Sequence, residues 1–122
     1  MHIDGVACGG FLPQAGLDFA ALTERAQTAE QAGFHSLWLA DHMWARGMPE
    51  LDYLECWTAL TALAMRTTRL RLGTLVLCNS YRNPALVAKM ATSLDRISGG
   101  RLELGVGAGW MDEEYRGYGY NF

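Results

Sequence analysis

The stretch from Arg69 to Trp110, RLRLGTLVLCNSYRNPALVAKMATSLDRISGGRLELGVGAGW, changes its hydrophobic period twice. Leu70 to Leu77 is an apolar run of strand length, followed by a polar turn through Asn79, Ser80 and Asn83-Pro84. Leu86, Val87, Met90, Ala91, Leu94 and Ile97 then recur at the i, i+3, i+4 spacing of one helix face. Ser98-Gly99-Gly100 stops that helix, and Leu102 to Val106 is a second short strand that empties into Gly107-Ala108-Gly109. Strand, helix and strand in this order make a parallel βαβ unit, because parallel neighbours need a long crossover.

On the N-terminal side, Ile3 to Phe11 reads as a first strand interrupted by Gly5, Gly9 and Gly10. Those glycines either admit a ligand or neighbouring strand close to the backbone or mark a loosely ordered terminus. Asp18 stands at an N-cap position ahead of Leu22, Ala26, Ala29 and Ala32 on one helical stripe, with Gly33 as the stop. His35 to Ala40 is the second strand and ends in Asp41-His42. A loop from Met43 to Asp52 leads to a helix from Leu54 to about Met65, with Trp57, Leu60, Thr61 and Ala64 on one face and Cys56 as a packing residue. Arg66, Arg69 and Arg71 have the look of an anion site, but they precede the third strand and read as solvated residues at its N-terminal end.

With 122 residues, 50% of them hydrophobic and 19% charged, the composition is that of a soluble α/β protein. A net charge of -3 and the absence of any basic run argue against nucleic acid or an anionic membrane as the main partner. Cys8, Cys56 and Cys78 lack CxxC spacing, which suits a reducing cytoplasm and gives no metal site. No stretch has membrane-spanning length, and the N-terminus, with Asp4 and no basic region, is not a signal peptide. The β/α alternation is the only internal repeat, and no linker divides the chain.

LGTLVLCNSYRNPALVAKMATSLDRISGGRLELGVGAGWMDEEY, together with GFHSLWLADH from Gly33 to His42, resembles the luciferase-like monooxygenase superfamily. The likeness is greatest to the branch of oxidoreductases that use the deazaflavin coenzyme F-420. The resemblance runs from about Pro13 onward and implies a (β/α)8 TIM barrel that binds a flavin or deazaflavin at its strand C-termini. Such a barrel takes roughly 250 residues, or about 31 per unit. The 122 residues therefore correspond to about four β/α units, one partial domain over residues 1–122 forming the N-terminal half of a barrel. Open sheet edges would leave a half-barrel marginal, a homo-oligomer, or part of something longer.

The resemblance also assigns roles. Asp41 and His42 would lie against the cofactor, with the His42 imidazole able to exchange the proton that accompanies a hydride transfer; alternatively, Asp41 orients His42 or caps the loop. Trp44, with Met43, either walls the substrate pocket or covers the barrel mouth. A cis peptide bond in a bulge at or next to Cys78-Asn79 would press on the ring. Asn79 either bonds the ring's heteroatom edge or caps the next helix. Cys78 has no partner histidine by spacing and is not read as a nucleophile.

Gly105 to Gly109 is not GxGxxG, which disfavours a Rossmann dehydrogenase. Its amide N–H groups can still donate to an anionic or carbonyl group, and the resemblance puts ribityl and ring contacts at Gly107 and Gly109. Asp112, Glu113 and Glu114 suit the first turn of a helix, which makes Glu113 and Glu114 structural. Trp110 stands where the sugar-phosphate-oxidising relatives have a glutamate acid, so it joins the substrate pocket and leaves proton donation to His42 or water. The expected function is hydride transfer between coenzyme F-420 or FMN and a small organic substrate, weak or absent in a half-barrel. The alternative is a non-catalytic half-barrel that binds flavin weakly or serves as a subunit or scaffold.

Overall fold

The computed structural model describes residues 2–122. It begins with a hairpin in which β1 (His2–Ile3) runs antiparallel to β2 (Val6–Ala7). Asp4 and Gly5 turn it at φ of 50° and 82°. This corrects the single strand expected over Ile3 to Phe11. Two successive positive-φ residues reverse the chain, and short polar Asp and Gly are the types that tolerate that conformation. Only β3 (Gly9–Phe11) enters the main sheet.

That sheet has four parallel strands in the order β3, β4 (Ser36–Leu39), β5 (Arg71–Cys78) and β6 (Leu102–Gly107). The connecting helices are α1 (Phe19–Gln31), α2 (Cys56–Ala64) and α3 (Pro84–Ser98), and α4 (Asp112–Tyr118) follows the last strand. Each crossover starts at a side-chain cap. Asp18 accepts from Ala21 N at 2.8 Å, Glu55 from Trp57 N and Thr58 N at 2.9 and 2.7 Å, and Asn83 from Ala85 N at 2.9 Å. Pro84 opens α3 and Gly99, at φ 72°, ends it. With Asn83 in that role, Asn79 does not cap the helix.

One apolar layer joins the helices to one face of the sheet. Leu22 and Ala26 of α1, Leu37 and Leu39 of β4, Leu60 and Leu63 of α2, Leu72 and Leu77 of β5, and Leu94 of α3 are all buried in it. Of the α3 stripe, Val87, Met90 and Ala91 pack against this core, whereas Leu86 and Ile97 stay exposed. Leu72 and Leu77 are an odd number of residues apart, so strict alternation would put them on opposite faces. A bulge reconciles them: three steps of β5, Thr74 to Leu77, span two of β6, Leu104 to Val106. The Thr74 hydroxyl repairs the interrupted ladder, donating to Gly105 O at 2.7 Å and accepting from Gly105 N at 3.1 Å.

The cis peptide bond lies in this bulge, at Leu75-Val76, and not at Cys78-Asn79. Cys78 and Asn79 are still in regular register with β6, Cys78 opposite Gly107 and Asn79 N bonded to Gly107 O at 3.0 Å. On the sheet face away from the helices, Trp38 covers Gly73 and Gly9, where a Cβ would stand 2.9 Å from its Nε1 at Gly9 and inside contact at Gly73. Arg71 is part of β5 and not a solvated residue ahead of it; its guanidinium pairs with Glu103 of β6.

Candidate active site

Parallel strands deliver their C-terminal ends to one side, which brings together the Asp41-His42 end of β4, Cys78 of β5 and the Gly107-Ala108-Gly109-Trp110 turn after β6. These residues, with Leu75, Val76, Tyr81 and Glu114, line a cavity of about 250 Å³. Its floor depends on missing side chains. A Cβ at Gly107 would come 2.5 Å from Val76 Cγ2, and one at Gly109 would meet Cys78 Sγ at 2.7 Å and run into the Tyr115 hydroxyl. Gly109 also has φ 85°, which a larger residue adopts only under strain.

The cavity wall includes two buried carboxylates with different tasks. Asp41, 5% exposed, accepts from Arg82 Nη1 and Nη2 at 2.7 and 2.8 Å and from Cys78 N at 2.8 Å. Arg82 also reaches Glu55, the cap of α2, at 2.6 Å. One guanidinium thus ties the end of β4 to the start of α2 and the β5–α3 turn. Burial works against the charge on Arg82, but bonds to the two carboxylates outweigh it and raise its pKa.

Glu114 is fully buried, and its carboxylate accepts from His42 Nδ1 at 2.9 Å, Tyr81 Oη at 2.7 Å and Met43 N. A carboxylate accepts and does not donate, so Nδ1 carries the hydrogen and Nε2 of His42 is the free nitrogen. Burial and the Glu114 bond both push the Tyr81 phenol up, holding it as a donor. Tyr115 in turn bonds Cys78 Sγ at 3.2 Å and Ala108 O at 3.0 Å, locking the glycine turn to β5; the Cys78 contact raises its pKa.

The family model for luciferase-like monooxygenase matches residues 5–122. The chain belongs to the luciferase-like monooxygenase family. Among curated relatives of this luciferase-like chain, 4-hydroxyprotoasukamycin monooxygenase of Streptomyces nodosus subsp. asukaensis is 42% identical over 70% of the chain and 22% of its own length. The F420-dependent glucose-6-phosphate dehydrogenase of Amycolatopsis mediterranei is 37% identical over 72% of the chain and 27% of its own length. The coenzyme F420 dependent tetrahydromethanopterin reductase from Methanopyrus kandleri superposes with a TM-score of 0.79 at 26% identity, over 95% of the chain and 30% of that structure. The luciferase-like chain therefore spans about a quarter of the length of the relatives it matches. Its four β/α units are part of the TIM barrel of these enzymes.

Of the residues singled out in the sequence of this luciferase-like protein, Asp41, His42, Cys78, Gly107, Gly109 and Trp110 line the cavity together. Asn79 and Trp44 do not. Asn79 is exposed and accepts from the Ser80 hydroxyl at 3.2 Å. Trp44 stacks on Tyr118 at 5.5 Å and rests on Gly117, closing the loop onto α4. Glu114, Tyr81 and Arg82 were not expected at the site. Helical spacing carried the signal for Glu114: it shares a face with Met111 and Tyr115, and all three are buried. Arg82 follows strand β5 at the same end as Asp41, a cation with a carboxylate to meet. Among the described residues no cluster suits a metal ion, and no helix is long and apolar enough to cross a membrane.

Proposed function

We propose that this chain supplies part of the ring-binding site of a flavin- or deazaflavin-dependent oxidoreductase, with coenzyme F-420 or FMN as cofactor and a small organic molecule as substrate. The observation that carries the reading is the glycine-floored cavity with His42 in its wall. A cavity of 250 Å³ is just below the roughly 300–1,000 Å³ of sites for whole drug-sized ligands, so it suits a ring system whose tail extends outside. Leu75 and Val76, half exposed, offer an apolar face on one side, and the Gly107 and Gly109 backbone allows close approach on the other.

When bound, the cofactor supplies hydride chemistry. The chain's residues hold and move the proton. Glu114 keeps hydrogen on His42 Nδ1, so Nε2 can take the proton from a substrate hydroxyl or return it. The resulting imidazolium is stabilised by the same carboxylate. Arg82 and Asp41 fix the strand end that carries His42. Trp110 adds an apolar wall to the cavity and no further acid.

Titration of the purified chain with FMN and with F-420, followed by ring absorbance and fluorescence, is expected to give saturable quenching with at least one of them. Gly107→Val, which fills the cavity, is expected to abolish it while the far-UV spectrum is kept. A wild-type chain that changes neither spectrum would overturn the reading. Phe11, Leu104 and Val106, apolar strand residues about half exposed, favour a second reading as a non-catalytic subunit or scaffold, in a homo-oligomer or beside a C-terminal half-barrel.

A further inference from the structure

The loop after β4 makes a tight turn next to Trp110 of the cavity wall. Met48 N bonds Ala45 O at 3.0 Å, Gly47 takes φ 71°, and Ala45 is buried at 4% exposure. The turn therefore sets the backbone from which Arg46, exposed, projects. Its guanidinium carbon stands 5.0 Å above the Trp110 ring, and that ring meets the edge of His42 at 5.6 Å. Among the described residues Arg46 has no ion pair and no side-chain hydrogen bond.

The two carboxylates of the cavity do not neutralise it. Asp41 is taken by Arg82, and Glu114 is enclosed by His42, Tyr81 and Met43. A cation–π contact orients the guanidinium but leaves its N–H donors unused, and five donors in a planar fork match an oxoanion. Trp110, the ring under the guanidinium, is also part of the cavity wall, and along that wall Trp110, Leu75 and Val76 present exposed apolar surface. The Trp110 ring thus touches both the cation and the His42 imidazole.

We infer that Arg46 is a specificity residue that binds an oxoanion, carboxylate or phosphate, on a small substrate whose apolar body lies against Trp110. Calling that ligand the substrate rests on the oxidoreductase reading above; the anion subsite itself does not. A neutral analogue would keep the contact with Trp110 and lose the guanidinium.

Calorimetric titration of the full chain with benzoate, phenyl phosphate and neutral benzamide, with and without FMN or F-420, tests this. Wild type is expected to bind at least one anion roughly tenfold or more tightly than benzamide, with the preference falling as salt is raised. Benzoate against phenyl phosphate tells which oxoanion is preferred. Arg46→Gln is expected to erase the preference and leave benzamide binding unchanged, and Arg46→Lys to restore part of it. Equal binding of anion and amide by wild type, or an anion preference that survives in Arg46→Gln, overturns the inference. An Arg46-dependent anion preference without any cofactor binding would keep the subsite and sink the oxidoreductase reading; cofactor binding without the preference would do the reverse.

Discussion

The Glu114 carboxylate meets His42 Nδ1 at 2.9 Å across 72 residues of sequence, joining the end of β4 to the first turn of α4. Three donors converge on this one buried group, from His42, Tyr81 and the Met43 backbone. A buried carboxylate is costly unless its oxygens are bonded, and here both are.

Glu114→Ala is therefore expected to strand those donors and lower stability by about 3 kcal/mol, read as a shift of the urea midpoint. Glu114→Gln keeps the shape but offers an NH2 to one donor. Nitrogen NMR of His42 should then show loss of the single Nδ1-H tautomer. An unchanged tautomer in Glu114→Gln would mean that Glu114 does not orient the ring.

The Asp41–Arg82 pair makes a second test, since both are nearly out of water, with side-chain exposures of 3% and 12%. Arg82→Met leaves Asp41 buried without its cation and is expected to cost about 3–5 kcal/mol. Arg82→Lys keeps the charge but not the two-pronged contact, and should recover only part of the loss. Chemical denaturation of the three proteins measures the series; equal stability of the Met variant and wild type would show the pair to be energetically idle.

Two glycines separate strain from collision. Gly99 and Gly109 both have positive φ, at 72° and 85°, but a Cβ at Gly99 meets nothing within 4 Å. Gly99→Ala should cost about 1 kcal/mol for the backbone alone. Gly109→Ala adds the clash with Tyr115 and Cys78 and should cost at least about 2 kcal/mol more, with loss of any flavin quenching. Similar thermal midpoints for the two variants would contradict the packing described for the glycine turn.

Glu30 gives a pH dependence away from the site. Burial raises its carboxyl, but backbone N–H groups of Arg69, Leu70 and Thr68, at 2.7, 2.9 and 2.8 Å, outweigh that and leave its pKa below the usual value. A depressed folded-state pKa gives stability that is present above the unfolded value, about 4.3, and is lost as pH falls through the folded one. Stability measured by urea from pH 7 down to 3 should thus fall less in Glu30→Gln than in wild type. A parallel fall in both would rule Glu30 out as a contributor.

The βαβ order, the cap at Asp18 and the common end of the strands follow from period and punctuation, so the chain's residues alone determined them. Local pattern is enough there because helix and strand periods are properties of consecutive residues. The family resemblance grouped Asp41, His42, Gly107 and Gly109 at that common end, while the cap of α3 proved to be Asn83 rather than Asn79. The bulge at Leu75-Val76, the hairpin at Asp4-Gly5 and the placement of Trp44 on Tyr118 needed the tertiary structure. So did Glu114 and Arg82. A first-turn glutamate and a loop arginine look like surface charges until the fold sets a histidine beside one and an aspartate beside the other, and contacts between residues far apart in the chain leave no periodic trace in it.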